Sequence, residues 1–155
     1  MVRILVTGSR SWDDRTRIAR SIMAVINRTC PMLLDDDGHP DVRDTSGVVV
    51  VHGACREGAD ALAQDVCDHM GIVTERHPAN WRRYGKRAGF LRNVEMVESL
   101  PDVCLAFIKA CRDPKCDIIE AHGTHGASHC ADYAERWEVP TLRWGWVKDE
   151  HRDTA

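Results

Sequence analysis

Four consecutive valines, Val48-Val49-Val50-Val51, constrain this chain more than any other stretch. A strand with one wet face alternates apolar and polar side chains. An unbroken β-branched run has no polar side to turn outward, so both of its faces must be covered. That is the environment of an inner strand in a parallel sheet with helices above and below. Val2-Arg3-Ile4-Leu5-Val6 reads as a first buried strand that ends in Thr7-Gly8-Ser9. Asp13 or Asp14 then caps a helix whose apolar stripe is Ile18, Ile22, Met23, Val25 and Ile26. Ile72 to His77, Val103 to Ile108 and Val139 to Arg143 supply three more strands. Helices are expected up to Met70 with Gly71 as the stop, from Lys86 to Leu100, and from Ala127 to Trp137. Strand and helix alternate, which predicts an α/β fold: an open, mostly parallel five-stranded sheet with helices on both faces. The interruption is Asn27 to Gly47, where Asp35-Asp36-Asp37-Gly38-His39-Pro40 reads as an exposed loop. Residues 1–147 form one domain on this reading, and 148–155 a polar C-terminal tail.

Composition narrows the class of function. The sequence has no apolar run of about 18 residues, so no transmembrane helix is expected. The N-terminus enters a strand without the layout of a signal peptide, and a cytoplasmic setting is the expectation. Seven cysteines, an odd number among apolar neighbours, suit buried thiols better than a disulfide framework. A formal net charge of −3 argues against a general nucleic-acid binder.

In an open parallel sheet the ligand lies beyond the carboxyl ends of the strands, and the unusual residues fall on that edge. Gly8, Ser9 and Arg10 follow the first strand, either as a plain turn or as backbone and side-chain donors for a phosphate. This is neither a Walker loop nor a complete G-x-G-x-x-G. Gly53 and Ala54 follow the valine strand and lead to Asp60. That aspartate serves the helix dipole, accepts from ribose hydroxyls, or fixes an arginine. Trp81 and Tyr84 flank a base or seal the sheet edge. Arg92 either grips a phosphate bidentately or pairs with Glu95 or Glu98, while Asn93 reads a ring edge or braces a loop. Thr124, Gly126, Ala127 and Ser128, just ahead of a helix, read as an anion cradle. Arg82, Arg83, Lys86 and Arg87 form a basic run suited to single-stranded nucleic acid, the lesser reading given the net charge.

Cys111, Cys116, His122, His125, His129 and Cys130 raise the question of zinc. Cys-x4-Cys followed by three histidines is not a common structural spacing, so incidental side chains and no metal are expected. No cofactor is expected either.

Taken in order, Thr7-Gly8-Ser9-Arg10 with Trp12, His52-Gly53-Ala54 with Gly58-Ala59-Asp60, Pro78-Ala79-Asn80-Trp81, Gly85-Lys86-Arg87-Ala88-Gly89, Arg92-Asn93 with Met96, Leu105-Ala106-Phe107 and Gly126-Ala127-Ser128-His129 resemble the YspA-related branch of the SLOG superfamily. Its Rossmann-like members include the Lonely Guy phosphoribohydrolases and the DNA-processing protein DprA. The resemblance implies a Rossmann-like fold and a pocket for a nucleotide or nucleotide-derived small molecule. It also implies a homodimer, and a role in sensing or processing such molecules, often in conflict between mobile elements and hosts. Lonely Guy enzymes use the arginine of an Arg-Lys-x-x-Met motif, which Arg92 matches with Asn93 in place of lysine. Their glutamate, three residues after a Gly-Thr pair, has no counterpart here: the position holds Ala127 or Cys130, depending on which pair is aligned. The first expectation is therefore a sensor or sequestering protein. The alternative is a nucleoside monophosphate N-glycosidase with Arg92 on phosphate and Glu120 or Glu95 as the acid-base group. A DprA-like single-strand binder is the third.

Overall fold

The structure, a computed structural model, describes residues 1–146. The expected tail, 148–155, lies outside the described residues. In chain order the elements are β1 (Val2–Gly8), α1 (Arg15–Thr29), β2 (Met32–Leu34), β3 (Pro40–Arg43), β4 (Val48–His52), α2 (Gly58–Met70), β5 (Val73–Arg76), α3 (Trp81–Tyr84), α4 (Ala88–Glu98), β6 (Val103–Ile108), α5 (His125–Arg136) and β7 (Thr141–Gly145). A short 3-10 turn, Gly85–Arg87, joins α3 to α4.

Five strands form one all-parallel sheet in the order β5-β4-β1-β6-β7. The valine strand is an inner strand, as its composition requires. Val48, Val50 and Val51 are fully buried, Val50 beside Ile4 and Val51 beside Leu5 in register. Burial of each such side chain contributes about 1.5–3 kcal/mol. The chain starts in the middle of the sheet, runs outward through β4 and β5, then returns to the other side of β1 through β6 and β7. Strand order thus reverses at β1, and the loops after β1, β4 and β6 open a crevice there.

The two faces of the sheet divide the core. Ile4, Val6, Val48, Val50, Leu105 and Phe107 face α1 and α2, where Ile18, Ile22 and Ile26 form a stripe at i, i+4, i+8. Leu5, Val51 and Cys104 face α4 and α5 through Met96, Val97, Cys130 and Ala134. Asp14 caps α1, its carboxylate accepting the Arg17 N–H at 2.8 Å. Helices therefore cover both faces, and among the described residues no helix is long and apolar enough to cross a membrane.

Three local expectations are corrected. The exposed loop expected at Asp35 to Pro40 is one residue shorter and joins two strands: Pro40 opens β3, which pairs antiparallel with β2, and Asp35-Asp36-Asp37-Gly38 makes the turn between them. The last strand begins at Thr141 rather than Val139. Pro140 has no N–H to give to a ladder, and only its carbonyl is used, accepting from Cys104 N at 2.8 Å. The helix expected from Lys86 to Leu100 is α4, Ala88–Glu98: Lys86 and Arg87 belong to a 3-10 turn, and a separate short helix, α3, precedes it.

Candidate functional site

Beyond the carboxyl ends of β1, β4 and β6 lies a cleft of about 550 Å³, bounded by the loop after β1, the start of α2, one face of α4 and the opening turn of α5. A second lobe of about 490 Å³ runs along the loop after β4. Arg10, Cys55, Trp81 and Arg92 line both lobes, so the two are parts of one depression.

Its floor is built by Arg92. This guanidinium is mostly buried and donates to the Gly53 carbonyl and, through Nε, to Asn93 Oδ1 at 3.1 Å. Asp60 Oδ2 lies 3.9 Å away and accepts the Cys55 N–H at 3.1 Å, which ties the β4–α2 loop to the helix start. A Cβ on Gly53 would collide with the guanidinium, so glycine is the residue that lets Arg92 pass over the loop. Gly8 has a packing role as well: a Cβ there would meet Ala59 and the Phe107 carbonyl, and its absence lets α2 close on β1. Burial, followed by the Asp60 carboxylate, pushes the Cys55 thiol up, against the pull of Arg92. Cys55 is therefore a protonated thiol at neutral pH rather than a nucleophile.

Asn93 is 2% exposed and its amide donates to the Gly126 carbonyl at 3.0 Å, joining α4 to the first turn of α5. It braces a loop. Ser9 is equally committed, since its hydroxyl accepts the Lys109 N–H at 2.8 Å and lies 2.5 Å from the Thr124 hydroxyl. Both residues line the cleft while holding its walls in place.

Gly126 and Ala127 present the opening turn of α5 to the cleft. The first N–H groups of a helix have no partner within it and carry the positive end of its dipole. Arg10 and Lys86 add cationic side chains to the lining of the cleft. The apolar wall is Trp81, with Arg10 Cζ 5.7 Å from its ring centroid, and Phe90, which meets His129 edge-on at 4.7 Å. These two rings are large, apolar and open to solvent, at 49% and 43% exposure.

Of the residues singled out from the sequence, Gly8, Ser9, Arg10, Asp60, Trp81, Arg92, Asn93, Thr124, Gly126 and Ala127 line the first lobe, and Gly53 and Ala54 the second. Tyr84, Ser128, Glu95 and Glu120 line neither. The Tyr84 ring sits beside the Arg83 guanidinium at 5.2 Å, and the Ser128 hydroxyl is turned toward Gly123. Glu95 is exposed, 3.9 Å from His77, and Glu120 is exposed with its carbonyl near His122. Phe90 is the principal residue that the local reading missed. Lys86, Gly89, Phe90 and Asn93 lie at i, i+3, i+4 and i+7, and that spacing marks one helical face that would have revealed it.

Against the expectation of incidental cysteines and histidines, Cys111, Cys116, His122 and His125 converge beside the cleft, all their ligand atoms within 4.8 Å of one another. His129 and Cys130 are not part of that cluster: His129 packs on Phe90, and Cys130 is on the buried face of α5.

A profile of the YspA, cpYpsA-related SLOG family matches residues 2–84, a span that holds Gly8, Gly53, Asp60 and Trp81. The chain is 35% identical over 150 residues to the Gene 61 protein of Mycobacterium phage D29, covering 94% of this chain and 98% of that protein. No solved structure matches it. With more than half of its length under the family profile and a relative aligned almost end to end, this chain belongs to the YspA, cpYpsA-related SLOG family.

Proposed function

We propose that the cleft binds a nucleotide or a nucleotide-derived small molecule, and that the protein acts as a sensor or sequestering module for it. The phosphate lies at the opening turn of α5 between Arg10 and Lys86, the base lies against Trp81 and Phe90, and Asp60 accepts from ribose hydroxyls. The observation that carries this reading is one cleft lined both by cationic and helix-terminal donors and by two solvent-open aromatic rings. A phosphate needs the first and a purine or pyrimidine ring needs the second. Family membership supports the same class of ligand.

Binding is favoured over glycosidic cleavage by the position of the carboxylates. Neither Glu95 nor Glu120 lines the cleft, Asp113 and Glu57 reach its two lobes only from exposed positions, and Asp60, the buried acid, is engaged by the Cys55 N–H and faces Arg92. A thermal-shift panel of AMP, CMP, NAD and ADP-ribose tests the proposal. A ligand at 100 times its dissociation constant stabilises by about 2.7 kcal/mol, and chromatography of the same mixtures should show no free base. A flat panel would refute binding, and released base would replace the sensor with the enzyme. The homodimer that the resemblance implies is read separately, by sedimentation of the full chain.

A further inference from the structure

We propose that Cys111, Cys116, His122 and His125 bind a zinc ion in a closed tetrahedral site that holds the β6–α5 segment against the cleft. The four side chains come from a stretch that is largely without regular structure, yet their ligand atoms share one point. Cys116 Sγ lies 3.4 Å from both His122 Nε2 and His125 Nε2, the two nitrogens are 3.0 Å apart, and Cys111 Sγ is 3.9 Å from His125 Nε2. A tetrahedral zinc with bonds of about 2.3 Å to sulfur and 2.0–2.1 Å to nitrogen separates its ligands by about 3.6 Å for a sulfur–nitrogen pair and about 3.4 Å for two nitrogens. The four separations lie within about 0.4 Å of those values, and all the ligand atoms are within 4.8 Å of one another.

Two further observations point at a cation. His122 Nδ1 lies 2.8 Å from the Glu120 carbonyl, which only an N–H can satisfy; its proton is therefore on Nδ1, and Nε2 turns a lone pair toward His125. A carbonyl holding the remote nitrogen is the usual way a zinc-bound imidazole is oriented. The ends of the segment are also paired by the backbone. Ala110 bridges Gly123, and Cys111 N donates to His122 O at 2.8 Å, so the first cysteine and the first histidine stand side by side before any metal arrives. Two thiols and two imidazoles select zinc over magnesium or calcium, which need oxygen donors. On binding, each cysteine gives up its thiol proton, two protons leave to solvent, and two thiolates balance the dication. All four positions are filled by protein, so the site is structural and leaves no place for a metal-bound water.

Its effect on the cleft is positional. His125 is both a ligand and a lining residue, and Thr124, the residue before it, holds the Ser9 hydroxyl. The test is metal analysis of the full chain purified under reducing conditions from zinc-supplemented cells. About one zinc per chain is expected, with none in Cys111→Ser/Cys116→Ser. Cobalt added to the metal-stripped wild type should give one equivalent of a tetrahedral spectrum with a thiolate charge-transfer band. That second measurement decides the matter if the double variant does not fold. No zinc above the buffer background together with no thiolate–cobalt band in the wild type, or full zinc retention by the folded double variant, overturns the proposal. The ligand panel is read independently of both.

Discussion

Arg92 reaches from α4 across to the carbonyl of Gly53, and only a glycine at position 53 leaves room for it. The two residues are separated by 39 positions in sequence, and their contact fixes the floor on which both lobes of the cleft rest. Gly53→Ala must therefore displace the guanidinium or the loop. A loss of about 1–3 kcal/mol in urea unfolding is expected, as for other overpacked sites. Gly126→Ala, where an added Cβ meets nothing within 4 Å, should leave stability unchanged or raise it by about 0.5–1 kcal/mol.

Asn93 joins two helices through one amide. Asn93→Leu removes the donor to Gly126 O and the acceptor for Arg92 Nε, two part-buried bonds made by a buried side chain. A destabilisation of about 1–3 kcal/mol is expected. Denaturant melts of the variant beside the wild type measure it, and a neutral result would show that the brace is dispensable.

The aromatic wall gives a direct contrast. Trp81→Ala and Phe90→Ala change solvent-open rings, so the fold should survive while nucleotide affinity falls. Loss of one stacked base contact is worth about 1–3 kcal/mol, roughly 5- to 150-fold in dissociation constant. Tyr84→Ala, outside both lobes, should bind as the wild type does. Calorimetric titration of the three variants separates the sites.

Acid should destabilise the protein in two stages. His52 is buried, its Nδ1 accepting the Ala54 N–H and its Nε2 facing Gln64 Oε1. Burial pushes its imidazole below the ordinary 6.5; Gln64 and Asp60 oppose the shift, and Arg76 and Arg92 add to it. Burial also lowers His129. A histidine that protonates more readily in the unfolded chain leaves stability intact above pH 6.5, and that stability is lost as the pH falls through 6.5 toward the depressed native value. The slope is at most about 1.4 kcal/mol per pH unit for each proton. The carboxylates held low, Glu75 by His77 and Arg3 and Asp65 by Arg15, lose their contribution only at lower pH, from their ordinary 4.5 and 3.8 downward. Stability measured from pH 7.5 to 5 should fall, and His52→Gln should flatten the upper part of that decline.

Much of this was legible because the relevant signals are local. The valine run could only be an inner strand, and the glycine turns after β1 and β4 sit where strand ends must open. What escaped depends on pairing between distant or weakly patterned residues. Met32–Leu34 and Pro40–Arg43 pair as a surface ribbon, so no buried face imposes alternation on them. Cys111 and His122 stand together because Ala110 bridges Gly123, a pairing that spacing does not announce. Tyr84 looked as suitable as Trp81 until the turn at Gly85 set the helix direction, and Phe90 took the place on the cleft wall.

Amide chemical shifts of the isotope-labelled protein, followed as a nucleotide from the panel is added, report directly on where binding occurs in a chain of 17.5 kDa. The largest and saturable changes should fall on Gly89, Phe90, Gly126 and Ala127, with β2 and β3 unaffected. Shifts confined to the far side of the sheet, or none with any nucleotide, would contradict the assignment of this cleft.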